Sequence, residues 1–364
     1  MEKKMGPLKG ASFCSVISPS HYHKIRSCQQ NSGMHFASSI VVSAKLSTMD
    51  VIINASSGVN NKREVVERLT DLFAGRSINA RISLARSGRE AIELARRSVR
   101  GRSGRIVAGG GDGTIAAIAS TLVGTDKDLG VLPLGTFNYF ARNLGIPLEL
   151  EDAALNLIEG HPICVDVGMV NDRIFLNNSS LGLYPDILRS REREYRRWGR
   201  SKIVAYFTVL QSILRPSRSL GIRLSADGKD YVRRTPLIFI GSNKYQLAEF
   251  NLPGHSCVDN GELACYVTAH VRRSGLLRLA LRTLFRRLRT DTDLHVLCAS
   301  EFWIDNKRKR VRVAMDGELA LMNTPLYYRS APGALRVIVP QESETTLDSV
   351  ARLTGARVGE SEID

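Results

Sequence analysis

The stretch Ile106–Ser120, IVAGGGDGTIAAIAS, decides how the chain reads. An apolar run, Ile106–Ala108, meets Gly109-Gly110-Gly111-Asp112-Gly113-Thr114, and an apolar helical pattern starts at once. Glycines let a backbone turn tightly and approach a ligand with no Cβ in the way. A helix N-terminus adds unpaired N–H groups and a partial positive charge. Strand, glycine loop and helix together make a seat for anions of the nucleotide-phosphate type. No Gly-Lys-Ser/Thr follows, so this is not the Walker pattern. An acid inside an anion seat makes sense where a metal ion accompanies the phosphates or the acid orients them.

The flanking sequence extends the same alternation. Val51–Asn54 reads as a buried strand and KREVVERLTDLFAG as a helix closing at Gly75. NARISLA, GREAIELARRSVRG, GRIVA, TIAAIASTLVG and LGVLPLG continue strand, helix, strand, helix, strand. Right-handed crossovers then predict a doubly wound parallel sheet over residues 49–162. The period changes to two near residue 163. ICVDVGMVNDRIFLNNSSLG, SLGIRLSADGKDYVRRTPLIFIGSN and GELACYVTAH predict an antiparallel β-sandwich over 163–324, with turns at Asn171-Asp172 and Asp227-Gly228. Residues 325–340, with LRVIVP, are the candidate strand that returns to the first domain. Residues 1–48 hold a single acid, Glu2, and read as a disordered extension or a misassigned start before Met49; 341–364 read as a polar tail.

Composition narrows the class. The chain has 364 residues, 43% hydrophobic and 24% charged, which suits two globular domains and excludes wholesale disorder or a disulfide miniprotein. The net charge is +15, from 39 arginines and 12 lysines against 36 acids, and points to an anionic partner. Six scattered cysteines (Cys14, Cys28, Cys164, Cys257, Cys265, Cys298) form no CxxC pair and read as free thiols of a reducing, cytoplasmic setting, a Cys257–Cys265 bridge being disfavoured.

Two further motifs bear on chemistry. In Leu129–Pro147, LGVLPLGTFNYFARNLGIP, Gly135-Thr136 turn at the carboxyl end of a strand, where open α/β sheets bind ligands, so Thr136 and Asn138 are placed beside the Asp112 loop. In VAMDGELALM, Asp316 and Glu318 flank Gly317 after a strand; taken alone, Asp-Gly is the usual hairpin signal.

Together, Gly110–Thr114, Pro133–Asn138, Asp316-Gly317-Glu318 and RIFLNNSSLGLYP (Arg173–Pro185) resemble the diacylglycerol kinase and sphingosine kinase superfamily in its bacterial lipid-kinase branch, from about Val51 to Pro340. The resemblance implies ATP and Mg²⁺ as cofactors and phosphoryl transfer to a lipid hydroxyl. It implies that Gly110, Gly111, Asp112, Gly113 and Thr114 hold the ATP phosphates. Asn54, Thr136 and Asn138 would line the nucleotide crevice. Glu318 is the expected proton acceptor, with Asp316 as its partner or a metal-side carboxylate. Ala55, Ala116 and Tyr139 stand where the family commonly has Pro, Asn and Asp. In CVDNGEL, Asn260 and Ala264 replace two family aspartates, leaving Asp259 as a weak candidate for a structural Mg²⁺.

The partners expected are ATP and a lipid substrate at an anionic membrane surface, with a homodimer allowed and no nucleic acid. The chain would be cytoplasmic and peripherally membrane-associated. Arg272–Thr290 and Arg189–Lys202 are the candidate docking segments, combining arginines with leucines or with Tyr195 and Trp198. The competing readings are a kinase with the same glycine loop acting on a soluble substrate, as NAD kinases do, and a non-catalytic basic membrane-binding module.

Overall fold

The computed structural model describes residues 48–55, 62–185, 187–188, 220–226, 229–268 and 294–341. The two basic docking segments, the Asp227-Gly228 turn, residues 1–47 and residues 342–364 lie outside the described residues.

Strands β1 (Met49–Asn54), β2 (Ala80–Ala85), β3 (Arg105–Gly110) and β4 (Asp128–Pro133) lie parallel in the order β2-β1-β3-β4. Helices α1 (Lys62–Ala74), α2 (Gly88–Arg100), α3 (Asp112–Leu122), α4 (Tyr139–Asn143) and α5 (Leu150–Glu159) complete this part. β1 shows why helices cover both faces. Ile52 packs with Ala91 and Ala95 of α2 and Ile115 and Ile118 of α3, whereas Val51 and Ile53 pack with Leu69 and Phe73 of α1 and Leu157 of α5. Side chains alternate across a strand, so an unbroken apolar run needs a partner on each side. Sequence periodicity left α5 unassigned; it fills the second face beside α1.

The antiparallel part comprises β5 (His161–Val170), β6 (Arg173–Phe175), β7 (Asn178–Gly182), β8 (Leu220–Ala226), β9 (Lys229–Thr235), β10 (Leu237–Gly241), β11 (Leu263–Thr268), β12 (Leu294–Ala299), β13 (Glu301–Asn306), β14 (Arg310–Met315), β15 (Glu318–Asn323) and β16 (Leu326–Val339), with short helices α6 (Lys244–Glu249) and α7 (His255–Asp259). The β5–β6 turn places Asn171 at φ 51°, a left-handed conformation that asparagine tolerates. One sheet of six strands runs β12-β11-β10-β7-β14-β15. The other half of the sandwich, β16-β13-β8-β9, is continuous with the parallel sheet through β16. That strand pairs antiparallel with β13 and β5, and parallel with β4 at Arg336↔Asp128. Phe302, Ile304 and Tyr328 meet Val313, Ile238 and Ile240 in the sandwich core, with Phe302 stacked on Tyr328 at 5.1 Å.

The cysteine expectation needs correction. Cys257 and Cys298 are joined by a disulfide, their Cα atoms 5.5 Å apart. They are 41 residues apart in sequence and meet only because α7 lies across β11 and β12. Cys265 is a buried free thiol in the sandwich core, on the opposite side of β11 from that pair.

Candidate functional site

The carboxyl ends of β1, β3 and β4 converge on three loops. Asn54 ends β1, and its Nδ2 donates to Thr114 Oγ1 at 2.9 Å. Both side chains are buried. Thr114 in turn fills the space against Gly110, where an added Cβ would come within 2.7 Å of Thr114 Cβ. Gly135 approaches Gly111 so closely that a Cβ on Gly135 would lie 2.5 Å from Gly111 Cα. These glycines are required by loop packing before any ligand is considered.

Asn138 holds the second loop shut. Its backbone is left-handed, at φ 54° and ψ 42°. Its Oδ1 accepts from Gly135 N at 3.0 Å, and its Nδ2 donates to the carbonyls of Pro133 and Gly135, each at 3.1 Å. The side chain expected to line the crevice thus spends its hydrogen bonds on its own loop. Thr136 is exposed at the tip of that loop, and Phe137, 58% exposed, stacks on Tyr139 at 5.4 Å. Burial, then Glu249 and Asp112, pushes the Tyr139 phenol up to about 12, so it stays neutral.

Asp112 opens α3 and reaches across to α4 and the sandwich. Its Oδ1 accepts from Phe140 N at 3.1 Å and from Asn177 Nδ2 at 3.3 Å. Asn177 Oδ1 accepts from Asn243 Nδ2 at 2.6 Å, and the same Nδ2 donates to Tyr139 O at 3.2 Å. Asn177 and Asn243, both buried, are the residues that sequence reading missed. RIFLNNSSLG stands out as a block, but nothing in its pattern marks Asn177 as the residue that meets the phosphate loop.

Asp316 and Glu318 sit at the β14–β15 turn and have different surroundings. Asp316 is left-handed, at φ 46°. Its Oδ2 accepts from Leu176 N at 2.7 Å, and its Oδ1 accepts from Asn177 N at 2.8 Å and Asn178 N at 3.2 Å. Burial pushes this carboxyl up to about 7; the three N–H donors pull it back, and Asp112 adds to the rise. Glu318 is exposed, and its Oε1 lies 3.6 Å from where a Cβ on Gly113 would stand. Two residues more than 200 apart in sequence are thereby brought face to face: the first turn of α3 and a carboxylate of the sandwich.

Asp259 stands differently from expectation. Lys244 Nζ binds both of its oxygens, at 2.8 and 3.0 Å. Among the described residues no group of three or more His, Cys, Asp or Glu side chains is placed to hold a metal. With Asn260 and Ala264 beside it, Asp259 does not fit a hard cation that needs several oxygens. The partner that the structure gives it is Lys244.

A family model for the diacylglycerol kinase catalytic domain matches residues 48–170. A relative from Pseudomonas fluorescens, described as "Probable lipid kinase YegS-like", is 30% identical over 253 residues, 66% of this chain and 78% of its own length. The chain belongs to the diacylglycerol kinase catalytic-domain family of lipid kinases. Among its other relatives, a "Diacylglycerol kinase" of Staphylococcus aureus is 26% identical over 236 residues, 63% of this chain and 72% of that one. The crystal structure of a diacylglycerol kinase from Bacillus anthracis superposes with a TM-score of 0.59 at 19% identity, covering 81% of this chain and 97% of that one. The kinase therefore shares the fold of that structure: a mostly parallel sheet with helices, joined to an antiparallel all-β part.

Proposed function

We propose that this kinase transfers the γ-phosphoryl group of ATP, with Mg²⁺, to the hydroxyl of a lipid alcohol of the diacylglycerol or sphingoid type at an anionic membrane surface. The observation that carries the reading is Glu318. An exposed carboxylate lies against Gly113, at the N-terminus of the helix that the phosphate loop opens.

The roles follow from the geometry. The N–H groups of the first turn of α3 provide donors and a partial positive charge for the phosphates. Gly113 leaves room beside them, since nothing lies within 3.6 Å of its absent Cβ. Gly110, Gly111 and Thr114 shape the loop, Asn54 holds Thr114, and Asn138 holds the Thr136 loop alongside. Glu318 takes the proton of the lipid hydroxyl as its oxygen bonds to the γ-phosphorus and the bond to the β-phosphate oxygen breaks. Asp316 acts one step back, fixing the 176–178 backbone and the turn that carries Glu318. Asp112 is the carboxylate that would face Mg²⁺, which when bound would offset phosphate charge; one carboxylate at a phosphate seat suits a cation that keeps most of its waters and takes its other oxygens from the phosphates.

No helix among the described residues is long and apolar enough to cross a membrane. The +15 net charge supports attraction to an anionic surface, where each nearby cation contributes roughly 1 kcal/mol. The test is transfer from labelled ATP to a panel of lipid alcohols in anionic mixed micelles, with and without Mg²⁺. Incorporation into a lipid that needs both Mg²⁺ and the micelle is the expected result. Transfer to a soluble acceptor alone overturns it.

A further inference from the structure

The hairpin that carries Glu318 near one end carries a cluster of cations at the other. From the end of β13 into β14 the chain reads DNKRKRVR, Asp305–Arg312, with five cations and one acid. Lys307, Arg308 and Lys309 make the turn, and Arg310 and Arg312 follow on β14. All five are exposed, and among the described residues none of them is in an ion pair. The one acid, Asp305, accepts from the backbone N–H of Asn306 at 2.7 Å.

Apolar surface lies beside these charges. β15 is an edge strand of the six-stranded sheet. Its Ala320 and Met322 pack on the sandwich core, so Leu319 and Leu321 face outward. Leu321 stands directly opposite Arg312 and is 61% exposed, and Leu319 is half-buried opposite Ala314. Arg310 lies opposite Asn323 on the same outer face, and its Nε donates to Asn323 Oδ1 at 3.3 Å. A lone exposed leucine needs no explanation, but a leucine set among unpaired cations on a free strand edge has the composition of an interfacial surface. The basic turn and the turn at Asp316 are joined by β14, about 20 Å of strand, and Leu321 follows Glu318 on β15 by about 10 Å.

The pattern selects among partners. Cations beside a strand edge oppose edge-to-edge pairing with a second copy. Nucleic acid would neutralise the cations but give Leu321 no apolar partner. An anionic bilayer supplies both: charged headgroups and, just beneath them, an apolar layer.

We propose that the Lys307–Lys309 turn and the outer face of the β14–β15 hairpin form a docking surface for an anionic lipid bilayer, with the basic turn, Arg310 and Arg312 at the headgroups and Leu321 against the apolar layer beneath. The assignment rests on the lipid-kinase reading above and specifies which face of the sandwich meets the membrane. A hairpin lying along the bilayer holds Glu318 near headgroup level, where the hydroxyl of an acceptor lipid stands.

The test is co-sedimentation of the full chain with vesicles of phosphatidylcholine containing phosphatidylserine, beside vesicles of phosphatidylcholine alone. Wild type is expected to bind the anionic vesicles and to release them as salt rises. A cation near such a surface is worth about fivefold in partitioning, so the triple variant Lys307→Gln, Lys309→Gln, Arg312→Gln should bind about a hundredfold more weakly. Leu321→Ser should bind severalfold more weakly. The replaced side chains are exposed, so both variants should unfold at the wild-type temperature. Less than a tenfold loss in the triple variant, no loss in Leu321→Ser, or equal binding of wild type to neutral vesicles overturns the surface. A triple variant that loses duplex DNA but keeps the vesicles overturns it in favour of nucleic acid. A wild-type dimer that Leu321→Ser makes monomeric overturns it in favour of a second copy. Binding is read without turnover, so the two readings fail separately. Docking that follows these residues, with no phosphoryl transfer to any lipid in the vesicles, contradicts the kinase reading and supports the surface. Transfer to vesicle lipid at the wild-type rate by the triple variant overturns the surface and leaves the kinase reading standing.

Discussion

Asn177 Nδ2 donates to Asp112 Oδ1 at 3.3 Å, across 65 residues of sequence. The backbone N–H of the same asparagine donates to Asp316 Oδ1 at 2.8 Å. One buried residue thus ties the loop that opens α3 to the turn that carries Glu318, and sets the gap between them.

Removing that side chain should loosen the gap without emptying it. Asn177→Ala leaves Asn243 Nδ2 and Asp112 Oδ1 each short of a partner, a cost of about 1–3 kcal/mol in folding stability. The turnover for lipid should fall by roughly tenfold or more, because small misplacements of reacting groups are expensive. Thermal unfolding and steady-state kinetics check the two halves. A full wild-type rate with lowered stability would mean that the tie serves folding alone.

Asp316 predicts a pH dependence of stability. Its carboxyl rises from the ordinary 3.8 to about 7 on folding, chiefly through burial. The folded chain then binds that proton more tightly than the unfolded one, so Asp316 lowers stability as pH climbs from about 4 towards 7. Asp316→Asn keeps the side-chain shape and tolerates the left-handed backbone, but does not titrate. Its unfolding free energy should vary less with pH over that window, and denaturant titrations at several pH values measure it. Asparagine keeps one acceptor oxygen and turns an N–H donor towards the same backbone donors, so the variant should be less stable than wild type, most at acidic pH where the wild-type carboxyl is neutral, with the difference narrowing towards neutral pH.

Gly113 separates folding from function. A methyl group there meets nothing closer than 3.6 Å, and alanine suits a helix better than glycine by about 0.5–1 kcal/mol. Gly113→Ala should fold at least as stably as wild type, yet lose most transfer activity, because the added carbon occupies the space between the phosphate seat and Glu318. Gly135→Ala should behave oppositely. Its Cβ would lie 2.5 Å from Gly111 Cα, so stability and nucleotide binding should fall together. Unfolding midpoints beside ATP titrations separate the two patterns.

Asp259→Ala tests whether that carboxylate takes part in a metal site. Its ion pair with Lys244 is half-exposed, and such pairs contribute about 0–1 kcal/mol. The variant should keep the Mg²⁺ dependence of wild type in both activity and thermal stability.

Much of this was legible in sequence where local pattern and chemistry coincide. The β1-to-β4 alternation shows because runs such as Val51–Ile53, Ile106–Ala108 and Leu129–Leu132 are largely apolar and each crossover helix has its own period. The glycine loop shows because a strand, four glycines and a helix leave few alternatives. What stayed hidden depends on non-local pairing. Asn177 looks like any asparagine in NNSS until β7 is laid beside β14. Asn138 was expected to face a ligand, but its left-handed backbone turns the carboxamide onto its own loop. Asp316 and Glu318 read as a pair because they are neighbours in sequence. The turn aims one at three backbone N–H groups and the other at Gly113. The disulfide escaped for the same reason, since Cys257 and Cys298 stand 41 residues apart and meet only in the fold.

The central claim is that Glu318 receives the proton of the lipid hydroxyl. Its most direct test is Glu318→Gln, with ATP affinity and phosphoryl transfer to lipid measured on the same preparation. Wild-type ATP affinity and stability, with transfer reduced by at least about a hundredfold, is the predicted result, since a positioned base contributes 10²–10⁴-fold. Transfer within about threefold of wild type would contradict the claim and hand the proton to another group.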